Sequence, residues 1–272
     1  MAVSAVTVNP FLFWCERRTT DMAGFSTQQL RLVLCGLGRM GSVVERVARA
    51  EGHAIAAKLG ENAAEWPERV DADAVIDFSA PEALFPLLDW AGRNRINLVV
   101  GTTGWYDRLD EVRERVQAAD LGFLYSPNFS LGMQLFFRLV GVAADLFGRL
   151  PDYDCAIHEM HHRGKADSPS GSAQHLAKIL LDRTSKRQVL ADRAQGRIEP
   201  EALHVTSTRV GAVPGTHVVL FDSDADSVEL VHRARGRQGF ARGALRAAEW
   251  LQGKRGFFTV DDMLEDMLNG GS

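Results

Sequence analysis

Three histidines and a glutamate lie within the five-residue segment HEMHH (158–162). The segment matches H-E-x-x-H, in which two histidines four residues apart bind zinc from one face of a helix. Its flanks argue against a helix, because the preceding DCAI has no helical apolar period and the breakers Gly164 and Pro169 follow. A strand would place Glu159 and His161 on one face. No third ligand follows at a familiar spacing, so we expect no metal site.

The residues after these histidines favour an anionic substrate. Lys165 and Asp167 are predicted to lie in a loop that leads through Ser170, Gly171 and Ser172 into a helix. Backbone N–H groups at a helix N-terminus, hydroxyl donors and a nearby cation together form a natural carboxylate site. A neighbouring lysine lowers the pKa of a histidine, which can then act as a general acid. We therefore expect an anion that must accept a proton.

A second group of residues is typical of a dinucleotide site. Gly36, Gly38 and Gly41 form G-L-G-R-M-G between a predicted strand and a predicted helix, which is the context that this motif requires. The first glycine permits a tight turn, the second lets the backbone approach a pyrophosphate, and the third lets the helix pack on the strand. The motif predicts binding of NADH or NADPH, and a tight turn without a ligand is the alternative.

The rest of this site is expected at the ends of the following strands. The acid that binds the ribose should lie about 20 residues on, and Glu61 is the nearest candidate, one residue beyond Gly60. Lys58 and Arg39 could instead meet a 2′-phosphate, so the sequence does not separate NADH from NADPH. The full predicted cofactor set is Gly36, Leu37, Gly38, Arg39, Met40, Gly41, Glu61, Phe78, Gly101, Thr102, Thr103, Ser126, Pro127, Asn128 and Phe129.

The hydrophobic pattern predicts two different scaffolds for these groups. Five apolar strands alternate with helices over 30–130, which indicates βαβ units and a Rossmann-like, doubly wound parallel sheet. After Asn128 the pattern changes, and this change predicts an α+β domain with a mixed or antiparallel sheet. Its predicted elements are a helix over 131–150, a strand over 153–162, a helix over 170–187 and three strands between 204 and 234; a further helix is predicted over 239–253.

Composition excludes several classes of function. The net charge is −4, which leaves no basic surface for nucleic acid or an anionic membrane, and no apolar run approaches the roughly 18 residues of a membrane helix. Three separated cysteines without C-x-x-C favour a reducing cytoplasm. Residues 1–29 lack the basic start and apolar core of a signal peptide. We expect a loose extension there, or a true start nearer Met22.

The two motifs together closely resemble the 4-hydroxy-tetrahydrodipicolinate reductase (dihydrodipicolinate reductase) family. The family hallmark E-x-H-H-x-x-K-x-D-x-P-S-G-T-A is matched by EMHHRGKADSPSGSA (159–173). Further matching stretches are GRMG (38–41), IDFSAPE (76–82), VVGTTG (99–104), NFSLG (128–132), VPGTHVVLF (213–221) and HRARGRQGFARGALRAAEWL (232–251). The match covers residues 30–268.

The resemblance implies a role for each site residue. It makes His161 the proton donor and acceptor and Lys165 the second proton donor. It assigns binding of the two carboxylates of a small cyclic substrate to His162, Lys165, Ser170, Gly171 and Ser172. Three departures stand out: the glycine turn is one residue shorter than is usual in the family, Ser172 replaces threonine, and the family's ribose acid aligns near Gly60.

The resemblance also implies the organisation and the activity of the chain. It predicts a nucleotide-binding domain of residues 30–128 and 240–272, a substrate-binding and oligomerisation domain of residues 129–239, and a homotetramer. The expected reaction is reduction of 4-hydroxy-tetrahydrodipicolinate, via dihydrodipicolinate, to tetrahydrodipicolinate in lysine and diaminopimelate biosynthesis. The alternatives are another amino-acid-related NAD(P) dehydrogenase, a non-catalytic dinucleotide sensor and a zinc hydrolase.

Overall fold

The computed structural model describes residues 29–191, 193–194 and 196–270. All but the last residue of the extension expected over 1–29 therefore lie outside the described residues. No helix in the described part of the chain is both long and apolar enough to span a bilayer.

Short apolar strands form the first sheet, and all of its strand pairs are parallel. Five of them follow the predicted order: β1 (Arg31–Cys35), β2 (Ala54–Leu59), β3 (Ala74–Asp77), β4 (Asn97–Val100) and β5 (Gly122–Tyr125). A sixth strand, β11 (Gly256–Thr259), pairs with β5 at one edge, and the strand order is β11-β5-β4-β3-β1-β2. The inner strands β1, β3, β4 and β5 are buried on both faces, as apolar runs in a parallel sheet require, whereas the edge strands β2 and β11 are partly exposed. The doubly wound parallel sheet is confirmed.

Helices cover this sheet on two sides and form two apolar cores. On one side lie α2 (Leu84–Asn94) and α3 (Leu109–Ala118). On the other side, α1 (Arg39–Ala50) packs with α6 (Gln238–Trp250) and α7 (Val260–Leu268). The C-terminal segment therefore returns to the first sheet.

The second sheet is mixed, and two helices cover one of its faces. Its strands are β6 (Asp154–His161), β7 (Gln188–Ala191), β8 (Ala202–Arg209), β9 (Thr216–Asp222) and β10 (Ser227–Arg233), in the order β10-β9-β6-β8-β7. The β10–β9–β6 pairs are antiparallel and the β6–β8–β7 pairs are parallel. Helices α4 (Leu131–Phe147) and α5 (Gly171–Arg183) pack on this sheet around a third core. The predicted α+β architecture is confirmed.

Several predicted boundaries are wrong, and three elements were not predicted. The helix predicted over 170–187 ends at Arg183, because Thr184 is extended and its hydroxyl donates to the carbonyl oxygen of Leu180. The helix predicted over 131–150 ends at Phe147. Strands β7 and β11 are as short as β3, β4 and β5, but they are edge strands that are exposed or half-buried, and α7 directly follows β11.

Candidate active site

A large cleft of about 1430 Å³ is lined by residues from both halves of the molecule. The loop after β5 contributes residues 125–128, and α4 lines the cleft from its start. The end of β6, the loop that follows it and the first residues of α5 also line the cleft, as does the segment 232–240. The cleft therefore joins the carboxyl edge of the first sheet to the end of the central strand of the second.

The glycine turn between β1 and α1 has the geometry of an anion cradle. Gly36 has a φ of +85°, and a side chain there would clash with the backbone of Phe78. A side chain at Gly41 would clash with the carbonyl oxygen of Gly36, whereas no described atom lies within 4 Å of a methyl group at Gly38. The first helical hydrogen bond runs from Ser42 N to Gly38 O, which leaves the preceding N–H groups without helical acceptors. The outer glycines are thus needed by the fold, and Gly38 leaves open space at a positive helix end.

Contacts between the loops hold the remaining predicted cofactor residues together. A side chain at Gly101 would clash with the Phe78 ring, which packs edge-on against the Phe129 ring at a centroid distance of 6.1 Å. The hydroxyl of Ser126 donates to the carbonyl oxygen of Asn128 at 2.9 Å. Phe129 is only 1% exposed, so its side chain belongs to the core. Among these residues, Ser126, Pro127 and Asn128 line the cleft itself.

The residues expected near the ribose are all exposed, but they differ in whether they form an ion pair. Glu61 is exposed beyond the end of β2, and so is Gly60. Lys58 is paired with Glu45, with Nζ 2.6 Å from Oε2. Arg39 is exposed in the first turn of α1, next to the open space at Gly38, and within the described residues it forms no ion pair. Of these two cations, Arg39 is therefore the one without a carboxylate partner among the described residues.

Residues 158–161 of HEMHH lie on strand β6 and His162 directly follows it, so the zinc-helix interpretation is wrong. The side chains of Glu159 and His161 point to the buried face, as the strand prediction required. His158 lies on the other face, where its Nδ1 is 2.7 Å from the hydroxyl oxygen of Thr206. The two histidines of the H-E-x-x-H pattern therefore do not share a helix face.

Glu159 is the centre of a buried network that the sequence did not reveal. In register, it lies opposite His217 on β9, and His161 lies opposite Arg209 on β8. The carboxylate is 0% exposed; it accepts from Ser170 N at 2.9 Å, from the Ser170 hydroxyl and from Arg209 Nη2 at 2.9 Å. Burial alone would raise the pKa of Glu159, but hydrogen bonds from His217, Ser170 and Arg209 outweigh it and hold the pKa well below its usual range.

The same cluster could be mistaken for a metal site. One ligand atom each from Glu159, His161 and His217 lie within 4.8 Å of one another. Arg209 and Ser170 already donate to the carboxylate. A cation placed there would be repelled by the guanidinium and would compete with these donors. The geometry favours a hydrogen-bonded network.

Burial is the main perturbation of His161, which is 7% exposed at the cleft. Loss of hydration lowers its pKa to about 4; Glu159 opposes the shift, while His217, Lys165 and Arg209 add to it. The expectation that Lys165 lowers this pKa has the right sign, but burial is the larger cause. At neutral pH the free protein holds His161 as a neutral imidazole.

The predicted carboxylate-binding residues all line the cleft. The ammonium of Lys165 is 2.7 Å from Asp167 Oδ1. Ser170 caps α5 by accepting from Ala173 N at 3.2 Å, and its hydroxyl donates to Glu159, so it is committed to the network. Gly171 opens onto free space, because no described atom lies within 4 Å of a methyl group placed there.

One contact joins the two halves of the site. The amide nitrogen of Asn128, in the loop after β5, donates to the hydroxyl of Ser172 in the first turn of α5, at 3.4 Å. Asn128 is a predicted cofactor residue and Ser172 a predicted substrate residue. The structure therefore brings the two predicted groups to one place.

Two family models together match most of the chain. "Dihydrodipicolinate reductase, N-terminus" matches residues 30–129, and "Dihydrodipicolinate reductase, C-terminus" matches residues 132–264. The 4-hydroxy-tetrahydrodipicolinate reductase of Christiangramia forsetii is 38% identical over 240 residues, which cover 88% of this chain and 99% of that protein. The enzyme of the same name from Archaeoglobus fulgidus is 37% identical over 265 residues, covering 87% of this chain and 100% of that protein.

A solved structure shares the fold. The dipicolinate-bound dihydrodipicolinate reductase from Paenisporosarcina sp. TG-14 superposes with a TM-score of 0.70 at 21% identity, covering 87% of this chain and 100% of that one. At that identity the likeness supports the architecture of two sheets around a cleft.

Proposed function

The chain belongs to the dihydrodipicolinate reductase family, and from this membership we propose that it reduces 4-hydroxy-tetrahydrodipicolinate, via dihydrodipicolinate, to tetrahydrodipicolinate in lysine and diaminopimelate biosynthesis. The observation that supports the proposal is the Asn128–Ser172 contact, since it joins the loop after β5 to the start of α5 at one cleft.

The substrate is a cyclic dicarboxylate, and the second half of the cleft fits its charge. The backbone N–H groups of Gly171 and Ser172 lie in the first turn of α5, at the positive end of the helix dipole, where that of Gly171 already donates to Asp167. Lys165 adds an ammonium group that is paired with Asp167. A substrate carboxylate can bind this ammonium beside Asp167 or replace Asp167 as its partner. Together with His162, these groups would bind the substrate and fix its ring in the cleft.

The first sheet fits a dinucleotide, which we propose to be NADH or NADPH. The open space at Gly38, the free N–H groups of α1 and the loops after β3, β4 and β5 would hold its diphosphate and nicotinamide. When bound, the nicotinamide supplies a hydride to C4 of the unsaturated ring that forms by loss of water from the substrate. The ring must then receive a proton.

His161 is placed to carry that proton. Its pKa of about 4 in the free protein keeps the imidazole neutral at pH 7. A bound dianionic substrate raises this pKa, because nearby negative charge favours the imidazolium. In the proposed step the imidazole takes up a proton when substrate is bound and passes it to the reduced ring, with Lys165 beside it. A positioned acid of this kind contributes on the order of 10²–10⁴ in rate.

Assembly and location are further parts of the proposal. We propose a homotetramer formed through the second sheet, supported by the face of that sheet opposite α4 and α5, where Ala156, Met160, Val218 and Leu220 remain only half-buried. We also propose a reducing cytoplasm as the compartment. This is supported by Cys35 and Cys155, which are free and buried.

A coupled assay tests the activity. The substrate is made from pyruvate and aspartate semialdehyde with the preceding synthase, and oxidation of NADH and of NADPH is followed separately. We expect oxidation of at least one, lost in His161→Ala. His158→Ala is the matched control, since it removes a histidine from the other face of the same strand. No oxidation of either cofactor by the parent protein would sink the proposal and favour a non-catalytic dinucleotide sensor.

A further inference from the structure

Glu159 does not line the cleft; it lies fully buried beside His161, which does. Its carboxylate is 0% exposed and receives donors from Ser170 and Arg209. Two imidazoles complete its surroundings: His161 Nδ1 is 3.2 Å from Oε2 and His217 Nε2 is 3.5 Å from the same oxygen. A buried carboxylate that is fully supplied with donors is held in one orientation.

An ionised carboxylate can only accept hydrogen bonds. Nδ1 of His161 is buried and makes no hydrogen bond among the described residues. It lies 3.2 Å from Oε2, and this charge favours N–H at Nδ1, because a nitrogen lone pair in that position would face negative charge. A neutral imidazole has a single N–H. With the hydrogen on Nδ1 of His161, the other nitrogen, Nε2, is an unprotonated acceptor.

The surroundings of Nε2 are kept clear by a glycine. Gly215 lines the cleft and has a φ of +152°. A methyl group at this position would lie 3.0 Å from His161 Nε2, closer than side chains normally pack. The absence of a side chain at Gly215 therefore leaves room for a reacting atom beside Nε2.

We propose that Glu159 is a positioning residue that fixes His161 as the Nδ1–H tautomer, so that Nε2 is the atom that exchanges a proton with the substrate. Glu159 also accepts a hydrogen bond from Ser170, the residue that caps α5. The carboxylate therefore links the position of the imidazole to the start of the helix that would bind the substrate carboxylate. The role in turnover rests on the proposed reductase function, whereas the tautomer is a property of the free protein.

The variant Glu159→Gln tests this with little change in volume. Its amide keeps one acceptor oxygen for Ser170 N and Arg209 and presents an NH₂ group where Oε2 was. That NH₂ would donate to Nδ1 of His161 and force the hydrogen onto Nε2. We expect the ¹⁵N shifts of the His161 ring to reverse between the two nitrogens. We expect kcat to fall on the order of 10²-fold or more, with KM changed only a few-fold.

A matched control is Glu249→Gln. Glu249 lies in α6 and contacts another buried histidine, His53, with Oε1 3.5 Å from Nε2. It should leave both kcat and the His161 ring shifts unchanged.

Three results would overturn the proposal. The first is an Nε2–H tautomer of His161 in the parent protein. The second is a Glu159→Gln enzyme whose kcat stays within a few-fold of the parent value, and the third is a Glu159→Gln enzyme that loses most of its kcat while His161 keeps the Nδ1–H tautomer. The first is measured without cofactor or substrate, so it decides the inference even if Glu159→Gln does not fold. It also stands apart from the reductase assay, whose failure would remove the proposed function but not the tautomer.

Discussion

Gly38 and Gly41 differ in what a methyl group would meet, so the cofactor cradle can be tested apart from the fold. In Gly38→Ala the methyl group enters space in which no described atom lies within 4 Å. Its φ of −74° suits alanine. Alanine is a poorer N-cap than glycine, which lowers the free energy of unfolding by about 0.5 kcal/mol. Alanine also reduces the conformational entropy of the unfolded chain, which raises the free energy of unfolding by roughly 0.4–1 kcal/mol. The two effects offset each other, and we expect Tm to stay within about 2 °C.

Binding should respond differently. If a diphosphate lies against Gly38, the methyl group pushes it away from the N–H groups at the start of α1. Losing one charge-assisted hydrogen bond costs about 1.5–3 kcal/mol, which corresponds to roughly 10- to 150-fold in Kd. Fluorescence titration of NADH and NADPH measures this loss directly. A Kd within about twofold of the parent for both cofactors would refute the cradle.

Gly41→Ala is the complementary variant. Its methyl group clashes with the carbonyl oxygen of Gly36, a backbone atom that cannot rotate away. Overpacking costs about 1–3 kcal/mol, less about 1 kcal/mol from the better helix propensity of alanine. Because the clash is with a backbone atom, the cost lies at the upper end of that range and the net loss is about 2 kcal/mol; we expect Tm to fall by roughly 4–8 °C, measured by scanning calorimetry. An unchanged Tm would show that α1 does not depend on close approach to the turn.

Three further outcomes are expected. Lys165→Ala should lower kcat/KM by about 10- to 100-fold through loss of a charged donor, and steady-state rates within a few-fold of the parent would remove the assigned role of Lys165. Arg39→Ala should raise KM for NADPH more than KM for NADH if Arg39 meets the 2′-phosphate, whereas equal changes in the two titrations would contradict that contact. His161 has a folded pKa of about 4 against roughly 6.5 unfolded, so the unfolded chain binds the proton first and stability falls between pH 6.5 and 4. Urea unfolding at pH 7 and pH 4.5 measures this effect. On acidification the free energy of unfolding of the parent should fall by about 2–3 kcal/mol more than that of His161→Gln. Equal decreases in the two proteins would show that the fold does not hold His161 neutral.

Much of the first sheet follows from local pattern. Val- and Leu-rich runs separated by helical periods indicate parallel strands, and the glycine spacing marks the first turn. Strand β11 escaped prediction because it forms by pairing with β5, whose residues lie more than a hundred positions earlier. Its four residues are only half-buried at the sheet edge, unlike the equally short but buried β3 and β4, and the partner supplies the hydrogen bonds that make them a strand.

Sequence alone was sufficient to show that HEMHH is a strand and that Glu159 and His161 share a face, since side chains alternate along a strand and Gly164 and Pro169 exclude a helix. It also placed Lys165, Gly171 and Ser172 beside these residues. Only the tertiary structure decided what Glu159 contacts. His217 and Arg209 reach the network because β6 lies between β9 and β8 in one particular register. Register depends on pairing between distant segments, and a shift of one residue would turn these side chains to the other face.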